Sequence, residues 1–136
     1  MNLLLLEDDI ALSDILSDFL NDNGFNVTLC ENGQDALEKL VESKFDLAIL
    51  DINTPSLSGL EVLIELRNRY KNNIPIIIIT AYQDINNLKR AFENRAYDYI
   101  RKPFDLEELN IRILKLKRFS NIIICSIFKR NNKNRA

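Results

Sequence analysis

Hydrophobic residues along this chain fall into two patterns that alternate from one end to the other. The first is a short, almost continuous apolar run, rich in leucine or in β-branched residues, which is typical of strands. Such runs occur at Leu3–Leu6, Phe25–Leu29, Asp46–Leu50, Ile74–Thr80 and Tyr97–Ile100. Near-continuous apolar runs of this kind predict strands that are buried on both faces of a parallel sheet.

The second pattern is an amphipathic stretch in which apolar residues recur at helical spacing. Stretches of this kind cover residues 10–24, 33–44, 59–70, 84–95 and 105–119. In the fourth stretch we expect Asp84 to be the N-cap, and Ile85, Leu88 and Phe92 to be buried. The sequence therefore predicts five helices.

Strand and helix patterns alternate five times, which indicates an α/β fold with helices on both faces of a parallel sheet. Right-handed crossovers leave few topologies open, and the strand order 2-1-3-4-5 is common at this size. We predict a single-domain, doubly wound, five-stranded sheet of the flavodoxin-like type with five helices.

Composition narrows the class of protein further. A chain of 136 residues with 46% apolar and 28% charged residues is typical of one soluble globular domain. No apolar run reaches the length of a membrane span, and the first residues lack the basic flank of a secretory signal, so we expect a cytoplasmic protein without a membrane partner. Histidine is absent, which excludes Ser–His and Cys–His catalysis and the usual zinc sites.

The small net charge of -2 conceals an uneven distribution. Residues 109–136 contain eight of the 18 basic residues and none of the 20 acidic ones. We treat residues 119–136 as an unassigned basic C-terminal extension, whose simplest interpretation is a solvated helix end and tail. The alternative is an electrostatic patch for nucleic acid or an acidic partner, although aromatic residues do not alternate with the basic ones.

Charged and polar residues collect just after the predicted strands. Glu7, Asp8 and Asp9 follow the first strand, and Asp51 ends the third. Because the carboxyl ends of parallel strands meet at one edge of a sheet, these carboxylates are expected to lie close together there. Carboxylates this close repel one another unless a cation joins them, and hard oxygen ligands suit Mg²⁺.

Two further residues predict that the same site also binds an anion. Thr80 ends the fourth strand, and Lys102 follows the fifth. A threonine hydroxyl can donate a hydrogen bond to a phosphoryl oxygen, and a lysine supplies a positive charge for it. Each residue alone has an ordinary structural explanation, but together they predict a site for Mg²⁺ and a phosphoryl group, with a carboxylate available as nucleophile.

The chain resembles the receiver domain of bacterial two-component response regulators over about residues 1–118. The matching segments are LLLLEDD, DLAILDINTPSLSG, PIIIITA and YDYIRKPFDLEEL. This resemblance implies a CheY-like receiver that accepts a phosphoryl group on Asp51 from a sensor histidine kinase. It implies a phosphorylated switch that catalyses its own phosphorylation and slow dephosphorylation, and not an enzyme in the usual sense.

The same resemblance implies roles for the remaining site residues. Glu7, Asp8, Asp51 and the main-chain carbonyl of Asn53 would hold Mg²⁺. The switch would comprise the hydroxyl of Thr80 and the aromatic ring of Tyr99, with Lys102 binding the phosphoryl group and a cis bond before Pro103.

The segment after Lys102 most resembles the winged-helix, DNA-binding subfamily of these regulators. Members of that subfamily tend to dimerise through helix 4, strand 5 and helix 5, and Asp98, Glu108 and Arg112 match their ion-pairing pattern. The resemblance implies the receiver part of a transcriptional regulator that reaches DNA only through an effector domain not present here; the alternative is a stand-alone receiver. Arg95 stands where the family has a glycine, which removes a ready left-handed residue at the end of helix 4.

Three other functions compete with this interpretation. A Mg²⁺-dependent phosphohydrolase with an aspartyl nucleophile is one, but Asn53 lies where its general acid would be, and an amide cannot donate that proton. A nucleotide or flavin module is the second, but no glycine-rich loop follows the first strand. The third is nucleic-acid binding through the basic end.

Overall fold

A computed structural model describes residues 1–81 and 85–118 of this chain. The first compact unit covers Met1–Phe104 and contains five strands and four helices. They are β1 (Asn2–Leu6), α1 (Ile10–Asp22), β2 (Asn26–Cys30), α2 (Gly33–Glu42), β3 (Leu47–Asp51), α3 (Gly59–Asn68), β4 (Ile76–Thr80), α4 (Ile85–Glu93) and β5 (Asp98–Arg101). The second unit begins at Asp105, and its helix α5 runs from residue 106 to 118, the last residue described.

The five strands form one parallel sheet in the order β2-β1-β3-β4-β5. The predicted fold class, strand order and five helices are confirmed, and strand ends differ from the predicted ones by one or two residues. Leu6 pairs with Leu50 across β1 and β3, and Asp51 pairs with Ile79 across β3 and β4. This register sets the residues after β1 beside the end of β3.

The central strands are buried on both faces, as their continuous apolar runs predicted. Leu3–Leu6 have no solvent exposure, and every residue of β3 and β4 is buried. Side chains of successive strand residues point to opposite faces, so both layers of helices must cover these strands. The central position of β1 explains why four leucines are followed directly by acidic residues. The leucines lie in the core, and the acidic residues follow at the carboxyl end of the strand, where the sheet stops.

Helix α4 buries a different face from the one predicted. Ile85 is 69% exposed and Phe92 is 44% exposed, whereas Ala91 is 1% exposed. Leu88, also predicted to be buried, is partly buried. Helix α4 contacts α3, and its small Ala91 joins the core cluster, so the covered stripe is narrow and leaves Ile85 and much of Phe92 outside it. The predicted N-cap, Asp84, lies outside the described residues.

The turn after α4 keeps its left-handed residue without a glycine. Arg95 has φ 65°, so an arginine adopts the conformation that glycine adopts more easily. The guanidinium of Arg67, which is 3% exposed, donates hydrogen bonds to the carbonyls of Asn94, Asn72 and Arg95 at 3.3, 2.9 and 3.1 Å. The buried arginine thus connects the end of α3 to this turn, a contact that no sequence pattern predicted.

Helix α5 has buried residues at helical spacing, Leu109, Ile113 and Leu116. Elsewhere on α5, Arg112 Nη2 lies 3.8 Å from Oε1 of Glu108, which precedes it by one helical turn. Residues 119–136, the basic extension, lie outside the described residues. None of the helices in the described ranges combines the length and apolar character that crossing a bilayer requires.

Candidate functional site

Two strand ends bring a pair of buried carboxylates together. Glu7 follows the last residue of β1 and has no solvent exposure, and Asp51 ends β3 and is 4% exposed. Both side chains lie at the carboxyl edge of the sheet, where the sequence predicted them. The main-chain N–H of Asp9 donates to Glu7 Oε2 at 3.3 Å, and that of Asn53 donates to Asp51 Oδ1 at 3.0 Å.

Lys102 follows β5 at the same edge of the sheet and contacts both carboxylates. Its ammonium lies 2.7 Å from Glu7 Oε1 and 3.0 Å from Asp51 Oδ2, and its side chain is 25% exposed. The N–H of Lys102 donates to the carbonyl of Thr80 at 2.8 Å, which continues the pairing of β4 with β5 past the strand end. The peptide bond between Lys102 and Pro103 is cis.

This arrangement shifts the pKa values of both partners. Burial raises the pKa of Glu7 to about 7, and the neighbouring Asp51 adds to the increase, while the ammonium of Lys102 opposes it. Burial by itself lowers the pKa of Lys102, but its contacts with Glu7 and Asp51 outweigh burial and leave that pKa raised. The lysine therefore stays charged at neutral pH, and Glu7 is the group that burial disfavours as an anion.

The site fits a divalent cation by two observations. Glu7, Asp8 and Asp51 each offer a carboxylate oxygen, and these atoms lie within 4.8 Å of one another. Within the described part of the chain, no hydrogen-bond donor is aligned on the buried Glu7 Oε1, although the Lys102 ammonium is close to it. Mg²⁺ prefers oxygen ligands of this kind. The buried Glu7 Oε1, which accepts no aligned hydrogen bond from the described residues, is available as one of them.

Asp9, the third acid after β1, has a structural task. Its carboxylate accepts a hydrogen bond from the N–H of Leu12 at 3.1 Å and caps helix α1. Ser58, in the loop after Asp51, likewise accepts from the N–H of Glu61 at 3.2 Å and caps α3. Both caps fix the loops that carry the site carboxylates.

Thr80 and Tyr99 lie on the same face of the sheet. Tyr99 pairs with Ile78, which lies two residues before Thr80 on β4. The side chains of Thr80 and Tyr99 therefore point to the same face from neighbouring strands. The Thr80 hydroxyl donates to the carbonyl of Ala81 at 2.9 Å. The ring of Tyr99 is half-buried and packs against the core cluster.

The three residues predicted for a dimer face have local partners. Asp98 is 6% exposed, and its carboxylate accepts from the N–H of Tyr99 at 2.8 Å. Glu108 and Arg112 form a half-exposed pair within α5.

Comparison with known proteins places these observations in a family. The model of the response regulator receiver domain matches residues 3–114. The transcriptional regulatory protein CrdR of Helicobacter pylori is 43% identical over 119 residues, which is 88% of this chain and 54% of that protein. Response regulator ArlR of Staphylococcus aureus is 40% identical over 116 residues, 85% of this chain and 52% of that protein. The chain thus spans about half the length of these curated relatives.

Solved structures agree with this match. The receiver domain of the Francisella response regulator 1452 is 28% identical with a TM-score of 0.80, covering 88% of this chain and 98% of that one. The response regulator protein TrrA of Thermotoga maritima, solved in complex with Mg²⁺ and BeF, is 34% identical with a TM-score of 0.75, covering 85% and 97% of the two chains.

Proposed function

This chain belongs to the response regulator receiver domain family, and we propose that Asp51 is the residue that accepts its phosphoryl group. The contact between Lys102 and Asp51 Oδ2 at 3.0 Å carries this proposal, because it aims a partly buried cation at the carboxylate that would become phosphorylated. Receivers of this family act with histidine kinases in signalling, so the donor we propose is the phosphohistidine of a sensor kinase.

The transfer we propose is an in-line displacement at phosphorus. An Asp51 oxygen forms the new bond to phosphorus while the bond to the donor nitrogen breaks, and the electron pair remains on the imidazole. Lys102 stabilises the negative charge that the phosphoryl oxygens carry. Glu7, Asp8 and Asp51, with the main-chain carbonyl of Asn53, are the groups we propose to hold Mg²⁺; when bound, the ion supplies further positive charge to the transferring oxygens.

Phosphorylation then acts through Thr80 and Tyr99. The hydroxyl of Thr80, which donates to Ala81 in this state, would turn to the phosphoryl group. Its movement leaves space for the ring of Tyr99, which lies on the same face of the sheet and pairs with the residue two positions before Thr80. We infer that this pair shifts α4 and β5 between two populations.

The similar proteins suggest what the switch controls. Relatives that match this chain over about half their length include a transcriptional regulatory protein. We therefore propose that the domain controls transcription through a DNA-binding effector domain outside this sequence, in the cytoplasm. A homodimer through helix 4, strand 5 and helix 5, with Asp98, Glu108 and Arg112 on its face, is a further proposal.

Incubation with acetyl phosphate and Mg²⁺ tests the acceptor directly. Intact-mass measurement should find one phosphoryl group on the wild-type chain and none on Asp51→Asn. Asp46→Asn is the matched control, since Asp46 lies at the opposite end of β3 and its carboxylate accepts from the N–H of Asn2. Equal labelling of Asp51→Asn and wild type would overturn the assignment, and continued turnover of a phosphate ester would favour the phosphohydrolase instead.

A further inference from the structure

The ring of Tyr99 is held in its present pose by two neighbours that the phosphorylation chemistry does not use. The ring of Phe92 meets it edge to face, with centroids 5.5 Å apart and planes at 86°. The guanidinium of Arg101 lies 5.9 Å from the centre of the same ring. Both geometries are attractive, because the ring edge and the cation are positive and the ring face is negative.

Phe92 is placed where it opposes the proposed movement of Tyr99. Helix α4 returns the chain from the carboxyl end of β4 to the start of β5, so Phe92, near the end of α4, lies toward the start of β5. Thr80 is the last residue of β4, at the other end of the neighbouring strand. A ring that turns toward Thr80 therefore moves away from Phe92 and loses the edge-to-face contact.

Phe92 is also half-exposed, so its ring is not part of the core. It is 44% exposed although Ala91, beside it in the same helix, is buried in the core cluster. Truncation of such a half-exposed ring removes its contact with Tyr99 without opening a large cavity in the core.

We propose that Phe92 is a positioning residue that holds the switch in its resting state by stacking on Tyr99. This inference deepens the function proposed above and rests on it for the role of Tyr99. The strength of an edge-to-face pair sets the expected effect: its loss should shift the ratio of the two Tyr99 poses by about two- to tenfold. A phosphoryl mimic at Asp51 favours the pose turned toward Thr80, so its affinity should increase by the same two- to tenfold factor.

Two measurements on the full chain test the proposal. The first is the side-chain rotamer population of Tyr99 by NMR with labelled tyrosine, in the resting protein without Mg²⁺ or phosphoryl donor. The second is a titration with beryllofluoride in the presence of Mg²⁺. Phe92→Ala and Phe92→Leu should both increase the population turned toward Thr80 and tighten beryllofluoride binding, whereas Phe92→Tyr, which keeps the ring, should resemble wild type.

Ile85→Ala is the matched control, since Ile85 is a 69% exposed residue at the other end of the same helix. Unchanged Tyr99 rotamers in both Phe92→Ala and Phe92→Leu would overturn the role of Phe92, whatever the titration gives. Unchanged rotamers with binding that still depends on Asp51 would leave the proposed function intact. Wild-type protein that does not bind beryllofluoride through Asp51 would instead contradict the proposed function, while the rotamer measurement still decides the role of Phe92.

Discussion

The ammonium of Lys102 lies 3.0 Å from Oδ2 of Asp51, although 51 residues separate them in the chain. The same ammonium lies 2.7 Å from Glu7 Oε1, so one cation contacts the carboxyl groups that follow or end two other strands. Loss of one member of such a cluster leaves an uncompensated charge, which is costlier than loss of an exposed pair.

Lys102→Ala should therefore lower both the stability and the chemistry of the site. We expect the free energy of unfolding without metal to fall by about 1–3 kcal/mol at neutral pH, since the buried Asp51 then loses its counter-ion and both carboxyl groups lose their contact with the ammonium. Phosphorylation by acetyl phosphate should slow by at least about tenfold, through the loss of charge on the transferred group. Urea unfolding and mass-based labelling measure the two effects.

Lys44→Ala provides the comparison, because Lys44 is an exposed residue in the loop before β3. It should change stability by no more than about 0.5 kcal/mol. Wild-type labelling rates in Lys102→Ala would contradict the role assigned to the lysine.

The raised pKa of Glu7 makes the metal-free protein lose stability as pH rises. The folded state holds this proton up to a pKa of about 7, against 4.5 for the free side chain. The contribution is therefore present below pH 4.5 and is lost as pH rises toward 7. Relative to Glu7→Gln, wild type should lose about 2–3 kcal/mol between pH 5 and pH 8, measured by denaturant unfolding in a chelator. Glu61→Gln, at an exposed position on α3, should follow wild type.

Millimolar Mg²⁺ should offset part of this loss of stability. Because a metal ligand must be deprotonated, the stabilisation by Mg²⁺ should be larger at pH 8 than at pH 5. Saturation at ten times Kd would contribute about 1.4 kcal/mol. The increase in Tm with Mg²⁺ checks this expectation, and an equal increase in Glu7→Gln and wild type would exclude Glu7 as a ligand.

Arg67 should be the most sensitive basic residue outside the site. Its buried guanidinium donates to three main-chain carbonyls, and burial followed by repulsion from Arg95 lowers its pKa to about 10. Arg67→Met leaves those carbonyls without donors, so we expect a loss of about 3 kcal/mol in unfolding free energy. Arg69→Met is the control, because the guanidinium of Arg69 forms an exposed pair with Glu65 at 3.7 Å and lies 5.4 Å from the centre of the Tyr70 ring, so its loss should cost under about 1 kcal/mol.

Gly59 links the loop after the acceptor to the position of Asp51 itself. A Cβ atom at Gly59 would overlap the main-chain carbonyl oxygen of Asp51, and one at Gly33 would overlap that of Leu57. Gly59→Ala and Gly33→Ala should both destabilise the fold by about 1–3 kcal/mol. Only Gly59→Ala should also slow phosphorylation measured under folded conditions, because only it displaces the acceptor; equal rates in the two variants would contradict this link.

The sequence by itself determined the layout of this protein. Alternating apolar runs and amphipathic stretches report local backbone periodicity, and parallel strands then have one allowed handedness of connection. That was enough to predict the sheet order and to place Glu7, Asp51, Thr80 and Lys102 at one edge, since every strand ends there.

Only the tertiary structure decided which side chains meet and which faces are covered. Helical spacing could not separate the exposed Phe92 from the buried Ala91, because burial depends on what packs against the helix. The run of three acids did not show that Asp9 caps a helix while Glu7 and Asp8 offer oxygens to the candidate cation site, and helical spacing did not show that Arg67 is buried. These outcomes depend on contacts between distant segments, whose geometry is set by the packing of the folded chain and leaves no local period in the sequence.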